Sequence, residues 1–119
     1  MRTDFSGVYS ALLTPFDEKG KTKEKALRKL ARFHVDKGLH GLYICGGSTG
    51  EGILMTTEER MLVAEIVKDE IKDEAILMCH IGGCANTNEG VKLAKHAAAI
   101  KIDALASIPP YIIPILLII

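Results

Sequence analysis

The stretch Gly41-Leu-Tyr-Ile-Cys-Gly-Gly-Ser-Thr-Gly-Glu-Gly52 decides how the chain is read. Its first half, Leu42, Tyr43, Ile44 and Cys45, is an apolar, β-prone run suited to a buried strand. Its second half breaks that strand off, because Gly46, Gly47, Gly50 and Gly52 favour a tight turn with uncovered backbone. A strand tip of this composition, with the Ser48 and Thr49 hydroxyls beside free N–H groups, makes a small anion site. Without side chains in the way, successive N–H groups can converge on a carboxylate or phosphate oxygen.

The bulk properties set the frame for that site. A chain of 119 residues is one domain at most, with a modest core. Its 15 basic and 15 acidic residues balance, no basic block is present, and aromatic residues are few, which argues against a nucleic-acid partner. Three cysteines without a CxxC pair argue against a disulfide framework and suit a reducing cytoplasm. The start, Met1-Arg-Thr-Asp-Phe5, lacks the apolar segment of a signal peptide, and no apolar run is long enough to span a bilayer. A cytoplasmic, soluble protein without membrane contact is expected.

Outward from the central stretch, strands alternate with helices. Residues 8–16 open as a β-prone run stopped by Pro15, which predicts a first, buried strand. From Lys23 the period changes: Leu27, Leu30, Ala31, His34 and Val35 recur at helical spacing, with Lys25, Arg28, Lys29 and Arg32 on a solvated face and Gly38 as the C′ residue. Thr56-Thr-Glu-Glu59 reads as a capping box for a second helix over about 57–71, burying Val63, Ile66, Val67 and Ile71. Residues 75–81 form a third apolar strand ending in Gly82-Gly83. Asn86 and Glu89 start a third helix with a small packed face of Val91, Ala94, Ala97 and Ala98. Residues 103–108 form a fourth strand, stopped by Pro109-Pro110. Strands apolar on both faces and alternating with helices imply a parallel α/β sheet covered on both sides, either doubly wound or a (β/α)8 barrel. Both place chemistry at the carboxyl ends of the strands. Thr14 to Phe16, the 46–51 loop, His80 to Gly83 and Pro109 to Tyr111 all fall there.

Gly46-Gly-Ser-Thr-Gly50 fails as a Walker phosphate loop, since no Lys precedes the hydroxyl residue. It does match G-x-S-x-G, the nucleophile elbow of serine hydrolases, in a strand-to-helix context. On that reading Ser48 is the nucleophile, with Asp73, Asp103, His80 and His96 available as partners, but four strands are too few for that fold. Cys79 and His80 are consecutive on a strand and point to opposite faces, so with Cys84 they read as core residues and not as metal ligands. His34 reads as a packed core histidine. Glu51 reads as a support that caps the following backbone or orients the loop.

Gly7-Val-Tyr-Ser-Ala-Leu-Leu-Thr-Pro-Phe16, the 41–51 stretch and Thr57-Glu-Glu-Arg60 together resemble the N-acetylneuraminate lyase and dihydrodipicolinate synthase family. These are class I aldolases on a (β/α)8 barrel. The Gly-Gly-Ser-Thr-Gly-Glu form is more similar to the lyase branch than to the synthase branch, which tends to carry Gly-Thr-Thr-Gly-Glu. The resemblance implies that Gly47, Ser48 and Thr49 bind the carboxylate of a pyruvate unit and that Ser48 also serves in a proton relay. The implied reaction is reversible cleavage of a 2-keto sugar acid to pyruvate and N-acetylmannosamine through a Schiff base, without metal or other cofactor. Small-molecule substrates are the implied partners, with homo-oligomers usual for full-length members. Tyr111 matches an aromatic position after the fourth strand, and His80 is a further candidate for substrate contact.

The chain also departs from the family. The Schiff-base Lys of the sixth strand and the relay Tyr of the fifth have no counterpart here, and Ile112 stands where the family carries an interface Tyr. Residues 112–119 form an off-family apolar tail, so the domain is expected over 1–111. Lys101 replaces the Gly that usually ends the third helix, at a cost of roughly 1–2 kcal/mol if its backbone is left-handed. The expectation is the first half of an aldolase barrel, a fragment with two open sheet edges, inactive without the missing Lys.

Overall fold

The computed structural model describes residues 4–108. Tyr111 and the apolar tail at 112–119 lie outside the described residues. Within them the elements run β1 (Tyr9–Ala11), α1 (Glu24–Asp36), β2 (Gly41–Ile44), a 3-10 turn (Gly52–Leu54), α2 (Thr57–Ile71), β3 (Ile76–His80), α3 (Thr87–Ala99) and β4 (Ala104–Ala106). The sheet is parallel throughout, in the order β1-β2-β3-β4. A doubly wound sheet reverses its strand order so that helices cover both faces. Here the order never reverses, and right-handed crossovers that always step the same way put every helix on one face. This is the wall of a (β/α)8 barrel, the architecture that the family resemblance implied and that strand and helix patterning alone had not separated from a doubly wound sheet.

The core lies between that face and the helices. Leu12, Leu42, Ile44, Leu77 and Cys79 from the sheet meet Leu27 and Ala31 of α1 and Val63, Ala64, Ile66, Val67 and Ile71 of α2. The caps form as the sequence predicts. Thr56 and Glu59 make a reciprocal capping box on α2, Asn86 accepts from the Glu89 amide on α3, and Gly38 follows α1 with φ of +81°.

Four expectations need correction. The first strand is only three residues long and is not buried: Val8 and Ala11 are exposed. The sheet is covered on one side only by the described residues. On the other, Ala11, Tyr43, Met78 and Ala104 form one register row, with Ala11 exposed and the others half-buried. The apolar run of a barrel strand serves two layers, and these residues supply only one. In α3 the packed residues are Leu93 and Ala97, while Val91 and Ala98 are exposed. Finally, Arg28 and Arg32 are not simply solvated. Arg28 reaches Asp69 at 2.7 Å and Arg32 reaches Glu70 at 3.2 Å and Glu74 at 2.8 Å, tying α1 to α2.

Lys101 takes φ of +59° just beyond α3, the left-handed backbone that a glycine there would adopt without strain. Among the described residues no helix is long and apolar enough to cross a membrane.

Candidate active site

The carboxyl ends of the four strands share one rim of the sheet, and the 46–51 loop is its most elaborate part. The loop begins with a break: Cys45 has φ of +56°, which ends β2. Strand alternation would put Cys45 on the face opposite Ile44, yet the left-handed turn lets both pack in the same apolar cluster. The chain then folds back tightly on itself. A Cβ at Gly52 would stand 2.0 Å from the Cys45 carbonyl oxygen, and one at Gly50 would stand 2.5 Å from the Gly46 nitrogen. Only glycine fits either place. The Gly52 amide donates to the Gly46 carbonyl at 3.0 Å and the Glu51 amide to the Ser48 carbonyl at 3.2 Å.

Neighbouring strands fix this loop. Three residues beyond β1 the buried Thr14 hydroxyl donates to the Gly50 carbonyl at 2.7 Å. The Tyr43 ring lies over Gly46, 2.8 Å from where a Cβ would be. With the backbone pinned below, Gly47 is half-buried and the Ser48 and Thr49 side chains are exposed. Two hydroxyls on a rigid glycine turn at a strand tip can donate to a carboxylate without reorganising, and binding then costs little entropy. Glu51 supports the loop differently from the expectation. It takes φ of +59° and precedes the 3-10 turn without a side-chain cap, so its contribution is through main-chain bonds.

His80 ends β3 and is 2 % exposed, with its ring in an edge contact with Tyr43 at 6.1 Å between centroids. Burial, with the Arg60 charge second, holds its pKa below the usual value, so the ring is neutral near pH 7. Its Nδ1 is buried without a partner. Cys79 points away into the core, as strand alternation requires, and burial separates it from the rim. Cys45 is also buried, its pKa pushed up by a hydrogen bond with Cys79 first and by burial second, so it is no ready nucleophile. Cys84 is half-buried, near Arg60. Tyr43 has its pKa raised, chiefly by burial.

The structure therefore brings Gly47, Ser48 and Thr49 together on one rim with His80 and Tyr43, while Tyr111 falls outside the described residues. As a serine elbow the loop is poor. Ser48 lacks the positive φ that Cys45 and Glu51 adopt, and among the described residues it makes no hydrogen bond to a histidine.

Arg60 is the residue that motif reading left without a role. It stands in the first turn of α2 and is 3 % exposed. Its guanidinium donates to the carbonyls of His80 at 2.6 Å and Gly82 at 3.1 Å. A signal was available: Arg60 continues the buried stripe of Val63, Val67 and Ile71 at helical spacing, where a charged residue needs an internal partner.

Comparison with known proteins agrees with this geometry. Residues 4–115 match the model of the dihydrodipicolinate synthetase family. The N-acetylneuraminate lyase of Escherichia coli strain SE11 is 40% identical over 114 residues, which cover 96% of this chain and 38% of the relative. Among solved structures, CdNal from Clostridium difficile in complex with mannosamine superposes with a TM-score of 0.85 at 40% identity, covering 92% of this chain and 38% of that one. N-acetylneuraminate lyase from Fusobacterium nucleatum complexed with pyruvate gives 0.83 at 39% identity, covering 91% and 36%. The chain spans about 38% of the length of the curated lyase it matches. A barrel wall in unreversed strand order, a glycine and hydroxyl loop at its rim, and a family match over most of the residues place the chain in the dihydrodipicolinate synthetase family.

Proposed function

We propose that this chain carries the carboxylate-holding part of an aldolase site of the N-acetylneuraminate lyase type. Thr49 and Ser48 bind the carboxylate of a pyruvate unit, Gly47 lets it approach the backbone, and Ser48 passes a proton to and from the sugar chain. The observation that carries this reading is the 46–51 loop: two exposed hydroxyls on a backbone locked by the Thr14 bond and by the close packing of Gly50 and Gly52 against Cys45 and Gly46. Mannosamine in one solved relative supports the lyase branch over the synthase branch, whereas pyruvate occurs in relatives of either kind.

In this chemistry a lysine amine attacks the keto carbon, water leaves, and the protonated imine accepts the electron pair released when the carbon–carbon bond breaks. None of the four described strands carries a lysine. On this reading the imine-forming lysine lies outside these four strands, which bind the carboxylate without cleaving the substrate. Borohydride reduction in the presence of pyruvate, followed by mass spectrometry, tests that statement. An unmodified chain is expected. A pyruvate adduct on any of its lysines would overturn the non-catalytic reading and make the chain a self-sufficient imine former.

A further inference from the structure

Arg60 is costly where it stands. It lies in the first turn of a 15-residue helix, where the helix dipole is positive and disfavours a cation. It is almost fully buried, and among the described residues no carboxylate lies within ion-pair distance of it. Its partners are dipoles: the His80 and Gly82 carbonyls, and the Cys84 sulfur at 3.5 Å. Its Nε has no partner at all. A buried cation that dipoles solvate but no anion neutralises keeps its field, and low polarisability around it lets that field reach far.

Its position joins the two strand tips that flank the candidate site. The guanidinium holds the end of β3 through two carbonyls, and the Cys45 thiol, where the 46–51 loop begins, lies 3.8 Å from the Arg60 carbonyl oxygen. The charge is felt on both strands: it helps to lower the His80 pKa and opposes the rise that burial imposes on Tyr43. We propose that Arg60 is the positioning residue of the carboxylate site, fixing the tip of β3 against the hydroxyl loop and supplying the uncompensated positive charge that favours an anion there. This rests on the reading of the 46–51 loop as a carboxylate site.

The test compares pyruvate with pyruvamide, its uncharged isostere, in NMR titrations of the full chain and of Arg60→Gln. The substitution is expected to weaken pyruvate about tenfold and pyruvamide less than about twofold. Equal losses for both ligands, or no loss, would overturn the inference. Should Arg60→Gln not fold, Arg60→Lys keeps the charge without the fork. It is then expected to hold the preference for pyruvate over pyruvamide within about threefold of the parent. Loss of that preference in a folded Lys variant would likewise overturn it.

A second readout is independent of pyruvate. The groups facing the His80 ring are Arg60 from α2, Tyr43 from β2 and the Cys45 backbone just beyond it, while Cys79 beside it on β3 points to the opposite face and β4 brings Ala106 into register. Removing the Arg60 charge should raise the His80 titration midpoint. If the parent chain binds no pyruvate but the midpoint rises, the carboxylate reading fails while the field of Arg60 on the rim stands. An unchanged midpoint overturns that field whatever the ligand does.

Discussion

Gly52 meets the Cys45 carbonyl so closely that even one methyl group cannot enter without moving the backbone. Gly52→Ala should cost about 2–3 kcal/mol, read as a shift in the urea midpoint at constant slope. Lys101 is the opposite case, a side chain where none is needed. With φ of +59° and an exposed side chain, Lys101→Gly should stabilise the protein by about 0.5–1 kcal/mol, since relief of the left-handed strain exceeds the entropy a glycine adds to the unfolded chain. A higher melting temperature checks it. The His80 pKa is lower folded than unfolded, so the unfolded chain binds the extra proton and stability falls as pH drops below about 6.5. His80→Gln should flatten the stability profile between neutral pH and that range. The glycines and hydroxyls of the loop were legible because their composition is itself the signal. Arg60 was not, because a basic residue in a first helical turn looks solvated until the stripe it continues is traced into the core.

At the scale of elements, strand and helix order was readable because period and punctuation agree: the capping box at Thr56, the Asn86 cap and Gly38 all sit where the chain changes direction. Thr56→Ala removes the acceptor for the Glu59 amide and should cost about 1 kcal/mol, again by denaturant titration. Because Arg60 lies one turn inside that cap, the same substitution should loosen the β3 tip, visible as faster amide exchange at Gly82. Which face of α3 packs was not readable. Its small residues surround the helix almost evenly, so period alone picked out Ala97 but missed Leu93 and took in the exposed Val91 and Ala98.

For the whole molecule, the unreversed strand order agrees with the barrel that the spaced motifs implied by resemblance, a choice that periodicity alone could not make. An apolar run on each strand fits either architecture, and tertiary pairing separates them. Parallel pairing throughout sets all four carboxyl ends on one rim, which carries the 46–51 loop, Tyr43 and His80. The central claim is that this loop binds the carboxylate of a pyruvate unit. Amide chemical shifts recorded during a pyruvate titration test it most directly, with Ser48→Ala and Thr49→Val alongside. The account predicts saturable shifts centred on residues 46–51 that both substitutions weaken or abolish. Saturable binding that leaves those amides unmoved, or that survives both substitutions unchanged, would contradict it.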